Sequence, residues 1–212
     1  MLRAQTTWSL AGDFSADGAI SGAWRYGSTS TPADTGSFAL YVNSSNMGPV
    51  QTWTTVSTFP SINYNTSSSV EQFGTVLWPA NSIIQHPGPA GEYAVARWTA
   101  PVTGSYAISA TFSNGDVQGA TSGVFVFRNG ATLASGQVDL STPFAYSTSS
   151  LALTAGDLID FAVNYGPNFT YGFDSTVTAA TIAAIPEPAT WSVAAGAAMF
   201  GAGFWRSRRR SA

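Results

Sequence analysis

The chain has no cysteine, no lysine and a single histidine, His86. Without cysteine there are no disulfides, no thiolate nucleophile and no Cys-based zinc site. One imidazole excludes a multi-histidine metal centre and leaves at most one histidine for acid–base work. Charge of either sign is scarce: charged residues make up 9% of the 212 residues, against about 25% in an ordinary globular chain. A surface that cannot be built from Lys and Glu must be built from Ser, Thr, Asn, Gly and Ala. Such a surface suits exported and cell-surface β proteins better than cytosolic enzymes. Hydrophobic residues nevertheless reach 44%, enough for a real core.

The little charge present is uneven. Arg206, Arg208, Arg209 and Arg210 lie in the last seven residues. The first 185 residues carry four arginines and ten acids, a balance of −6 (4 − 10). An acidic, lysine-free body is a poor partner for nucleic acid, whose binding depends on neutralising phosphates, so no nucleic-acid partner is expected.

The basic end closes a three-part segment. Pro186-Glu187-Pro188 is followed by the uncharged run from Ala189 to Trp205, 17 residues long, and then by the arginines. As a helix rising about 1.5 Å per residue, the run reaches the short end of what crosses a bilayer. Trp191 and Trp205 stand near its ends, where indoles favour the interface, and the arginines set the C-terminus on the cytoplasmic side. This order resembles the PEP-CTERM sorting signal of exported proteins of Gram-negative bacteria. The resemblance implies processing by an exosortase near Pro186-Glu187-Pro188, transient anchoring in the inner membrane, and delivery of the body to the cell surface or extracellular matrix. An LPxTG motif is missing, and a lipid-anchor signal would end in apolar residues rather than arginines. The opening MLRAQTTWSLAGDFS holds no apolar stretch of signal-peptide length, so a signal peptide lost upstream is expected.

The remainder, residues 4 to 183, shows no helical periodicity of useful length. It shows short alternating runs punctuated by Gly, Pro, Asn and Asp, at a spacing that predicts about nine strands and an all-β antiparallel sandwich or jelly roll. In Gly104–Phe112, residues Tyr106, Ile108, Ala110 and Phe112 share one face. Asn129-Gly130 after GVFVFR is a strong hairpin signal. The expected core includes Tyr106, Ile108, Phe112, Phe125, Leu158, Phe161 and Val163. Residues 44 to 92 read as a long irregular insertion, and residues 185 to 212 as the separate sorting signal.

Arg97-Trp98-Thr99-Ala100-Pro101, followed by Gly104 and Tyr106, resembles the WTAPxxGxY strand–turn–strand of extracellular β-sandwich modules of bacterial surface proteins. Many such modules are similar to carbohydrate-binding jelly rolls. The resemblance implies a polysaccharide partner and admits a structural Ca²⁺, for which Asp139, Asp157, Asp160 and Asp174 are the available acids.

Catalysis has little to work with. No GxSxG elbow accompanies His86, and beyond the aspartates the body offers only Glu71 and Glu92. A non-catalytic module is therefore expected, with no cofactor. Sugars stack their C–H faces on aromatic rings and bond their hydroxyls to amides and carboxylates. Trp98 reads as core. Trp53 and Trp78, flanking the irregular segment, and Tyr165, Asn168 and Tyr171 of the YGPNFTY loop are the expected carbohydrate contacts. A purely structural surface protein and a secreted glycan-active enzyme are the alternatives.

Overall fold

The computed structural model describes residues 7–31 and 35–186. Glu187, Pro188, the apolar run and Arg206, Arg208, Arg209 and Arg210 lie outside the described residues. Among the described residues no helix is long and apolar enough to cross a membrane.

Two-residue alternation dominates the body. In chain order the strands are β1 (Thr7–Ser9), β2 (Ile20–Ser21), β3 (Trp24–Thr29), β4 (Ala39–Leu40), β5 (Asn43–Met47), β6 (Val50–Thr54), β7 (Ser61–Asn65), β8 (Glu71–Phe73), β9 (Val76–Trp78), β10 (Ile83–His86), β11 (Tyr93–Thr99), β12 (Gly104–Asn114), β13 (Gly123–Arg128), β14 (Ala131–Gln137), β15 (Phe144–Leu153), β16 (Leu158–Asn164) and β17 (Thr176–Ile185). They form two antiparallel sheets. The first runs β15-β12-β17-β10-β7-β6-β5, with β1 also on β17; the second runs β14-β13-β16-β11-β3-β2, with β4 also on β3. From β10 to β13, and again from β14 to β17, successive strands alternate between the sheets, which is the connectivity of a jelly roll. The antiparallel sandwich read from the sequence is the fold.

The core fills the space between the sheets. Tyr106, Ile108, Ala110 and Phe112 of β12 and Ala180 and Ile182 of β17 face Trp24, Tyr26, Trp98, Ile159, Phe161 and Val163 of the opposite sheet. Burying each large side chain is worth about 1.5–3 kcal/mol. The buried Gln85 amide bolts the layers together, donating from β10 to the carbonyls of Ala94 (2.8 Å) and Phe161 (3.1 Å) in the other sheet. The WTAPxxGxY turn is held as a core device: the Tyr106 hydroxyl donates to the Val102 carbonyl at 2.6 Å.

Two expectations are corrected. Phe125 and Leu158 do not belong to the inter-sheet core; both are half-buried. In β13 it is Val124 and Val126 that point inward, so Phe125 and Phe127 pack with Tyr93, Val95, Ala162 and Phe38 on the outer face. Residues 44 to 92 are not an irregular insertion. They hold β5 to β10, four strands of the first sheet plus the β8–β9 hairpin. Asn65 organises that hairpin's base, its side-chain amide donating to the carbonyls of Ser69, Trp78 and Pro79.

Candidate functional site

Strand ends gather six segments at one pole of the sandwich. Registers Gln85–Thr176, His86–Ser61, Tyr93–Thr29 and Ala94–Val163 bring together the C-terminal ends of β3, β10 and β16 and the N-terminal ends of β7, β11 and β17. The connection from β16 to β17, residues 165–175, covers this pole and carries Tyr165, Asn168, Phe169, Tyr171 and Phe173.

Two aromatic groups form there. Phe59 stacks on His86 with centroids 4.1 Å apart, and Tyr171 meets both edge-on, at 5.7 and 5.9 Å. Tyr165 contacts Phe169 edge-on at 5.9 Å and lies over Gly91, where a Cβ would sit 2.9 Å from its ring. Phe169 is 76% exposed, Phe173 51% and Tyr171 37%. Phe169 and Phe173 also hold left-handed backbone, φ 57° and 68°. That conformation is costly for a bulky side chain, and such strain clusters at catalytic sites, ligand clamps and switch regions. Asn168 is exposed, and its side-chain oxygen accepts the Thr170 N–H at 3.1 Å, closing a tight turn.

The loop is gripped at both feet by one residue of the β12–β13 connection. Thr121 donates its N–H (2.7 Å) and its hydroxyl (3.1 Å) to Asp174 Oδ1. At the other foot Gly166, φ +66°, lies so close that a Cβ would be 2.0 Å from the Thr121 carbonyl oxygen. Thr121 is a residue the sequence gives no reason to single out.

His86 is buried, and burial lowers its pKa, keeping the imidazole neutral at pH 7. Its Nδ1 bonds to the Pro87 carbonyl at 2.9 Å. Among the described residues no serine or threonine hydroxyl pairs with it, so no nucleophile–base couple forms here.

The two tryptophans expected to contact sugar lie elsewhere. Trp53 is 7% exposed, sits in the inter-sheet core and donates its indole N–H to the Ser15 carbonyl at 3.0 Å. Trp78 is 5% exposed and packs with Val50 and Ile84 beneath the β8–β9 hairpin. Neither presents a ring face to solvent, because long-range packing covers both.

The four aspartates proposed for Ca²⁺ are dispersed, and among the described residues no three acids or histidines converge as a metal site. Asp139 caps an exposed turn at the N–H groups of Ser141 and Thr142. Asp157 accepts bonds from Asn129 (2.9 Å), the Thr154 N–H (3.0 Å) and Arg128 (2.8 Å), and these, Asn129 foremost, hold its carboxyl down at about 2. Asp160 is bound by Arg97 through two bonds of 2.7 and 2.8 Å, under the Phe38 ring. Asp174 serves Thr121.

No family model and no curated protein matches the sequence. Among solved structures, the chain is similar to a family 35 carbohydrate binding module from Clostridium thermocellum, with 19% identity over 53% of this chain and 85% of that one and a TM-score of 0.34. It is also similar to a carbohydrate binding module from the Cellvibrio mixtus lichenase 5A in complex with cellotriose, with 13% identity over 89% and 99% of the two chains and a TM-score of 0.28. A third is an isomalto-dextranase of Arthrobacter globiformis, with 16% identity, 76% of this chain, 23% of that one and a TM-score of 0.31. None of these superpositions is close, and the fold assignment rests on the strand pairing of the chain itself.

Proposed function

We propose that the chain is a non-catalytic, exported module that binds polysaccharide through the 165–175 loop. One observation carries the reading: three exposed aromatic side chains stand on a single anchored loop, two of them on left-handed backbone. Rings held this way are platforms for the C–H faces of sugars, and Asn168 beside them can bond hydroxyls. Tyr171, braced by Phe59 and His86, is the central contact; Phe169 and Phe173 extend it. Export is supported by the order of Pro186-Glu187-Pro188, apolar run and arginines, and an exosortase is the processing partner. The exposed Pro186 follows directly on the end of β17 at Ile185, so cleavage after it leaves the last strand whole.

The test is affinity electrophoresis of the protein in gels containing soluble glucans, mannans and xylans, with Tyr171→Ala beside it. Retardation that Tyr171→Ala abolishes supports the reading. A protein that folds, reaches the surface and is retarded by no glycan is a structural surface protein instead. Mass spectrometry of the secreted form checks processing: an intact Ala212 terminus on cytosolic protein overturns it.

A further inference from the structure

The opposite pole of the sandwich holds a hollow of about 340 Å³ lined by Thr7, Trp8, Asp13, Ser21, Ala23 and Trp24. This volume is at the small end of ligand pockets. Its walls are tied to the neighbouring strands by ring contacts and hydrogen bonds. Trp8 is half-buried, and its indole is fixed edge-on against Trp98 at 5.3 Å and tilted against Tyr106 at 6.1 Å. Asp13 is tied to both neighbouring segments. Its Oδ2 accepts the Ser9 N–H at 2.9 Å and the Trp24 indole N–H at 3.3 Å, and its carbonyl accepts the Ser21 hydroxyl at 2.6 Å.

Among the described residues the second oxygen of Asp13 has no partner. Oδ1 makes no hydrogen bond among the described residues, and Asp13 belongs to neither of their ion pairs, Arg97–Asp160 and Arg128–Asp157. A half-buried carboxylate is thus held in one orientation, with one oxygen unbonded among the described residues, beside an indole and two hydroxyls. We infer that this hollow is a second carbohydrate site, sized for one pyranose ring, with the ring against Trp8 and a hydroxyl donated to Asp13 Oδ1. A hydroxylated ring matches every group present: its C–H face meets the indole, and its hydroxyls both donate to the carboxylate and exchange bonds with Thr7 and Ser21. A cation would find one carboxylate there, and among the described residues no three acids or histidines converge as a metal site. The choice of ligand class rests on the polysaccharide-binding reading; the site itself does not share a residue with the aromatic loop. With a site at each pole, one module can bridge two chains of a matrix, and linked sites gain from effective concentration.

The test uses the full chain labelled at its indole nitrogens, titrated with the methyl pyranosides of glucose, mannose and galactose. The Trp24 indole N–H is the reporter, because it shares the Asp13 carboxylate with the sugar. Saturable movement of the Trp8 and Trp24 signals is expected with at least one pyranoside. Trp8→Ala should abolish the Trp24 response, and Asp13→Asn should weaken it about tenfold or more. If Trp8→Ala fails to fold, Trp8→Phe, which keeps a smaller ring, takes its place. Tyr171→Ala should leave the response unchanged, so a failed loop site and a failed hollow give different results. If no pyranoside moves Trp24, or if Tyr171→Ala removes the response, the inference is overturned.

Discussion

Asp174 Oδ1 accepts both donors of Thr121, while its Oδ2 is buried with no partner among the described residues. Burial pushes this carboxyl up to about 6, against the pull of the two Thr121 bonds, and the Asp116 carboxylate adds to the rise. The foot of the aromatic loop is therefore a carboxyl that holds its proton to higher pH than an ordinary aspartate.

The sign of the pH effect follows. The folded value lies above the ordinary 3.8, so the folded chain holds a proton that the unfolded chain has lost between about 4 and 6. The contribution is fully present below pH 4 and disappears as pH rises through about 6. Urea midpoints of wild type and Asp174→Asn, measured from pH 4 to 7.5, should diverge over this window, with wild type losing stability relative to the variant as pH increases. Parallel curves would contradict it.

Gly166 should tolerate no side chain. Its φ of +66° and the 2.0 Å approach of a Cβ to the Thr121 carbonyl predict that Gly166→Ala costs about 2 kcal/mol or more, read as a lower urea midpoint. An unchanged midpoint would show that the foot of the loop is not packed on Thr121.

Phe169 presents the opposite case. Left-handed backbone costs an L-residue about 1–2 kcal/mol and glycine nothing, while glycine's added unfolded-state freedom costs about 0.5–1 kcal/mol. Phe169→Gly should leave the urea midpoint equal or slightly raised while polysaccharide retardation falls. A clear loss of stability would mean that Phe169 is a packing residue.

Trp53 and Trp78 are predicted to report on stability. Truncating either to Ala should cost about 3–5 kcal/mol, seen in the unfolding midpoint. Their burial was not legible in sequence because distant segments decide it: Trp53 is closed over by Ser15, 38 residues away. The same holds for residues 44 to 92, whose strands give little alternation to read. Every residue of Asn43–Met47 is exposed, and Asn63 and Asn65 are buried through their own hydrogen bonds. Where alternation or turn chemistry is local, the sequence was sufficient. Asn129 (φ 49°) and Gly130 (φ 82°) make the hairpin that their pairing announces. Phe125 shows the boundary between the two cases. Its strand was evident, but in Val-Phe-Val-Phe either face could be the inner one, and only the neighbouring Tyr93, Phe127 and Phe38 settle it. The aromatic loop was legible as a cluster of rings; its clamp, a lone threonine in another connection, was not.

The Arg97–Asp160 pair is buried on the outer face of the second sheet. Arg97→Ala should cost about 3–5 kcal/mol, since it strands a buried carboxylate, whereas replacing both partners with apolar residues should recover most of the loss. Equal losses in the single and double variants would show that the pair is not the source of the cost.

β17 has a further consequence for how the body is made. It pairs with β12 along its whole length on one side and with β10 and β1 on the other, so the last strand of the body sits inside its sheet. During synthesis every other strand emerges while that slot stands empty, with two inner edges unpaired. The first sheet can close only when Ile185 is free of the ribosome, so its completion follows synthesis of the last strand, whereas every strand of the second sheet has been made by then.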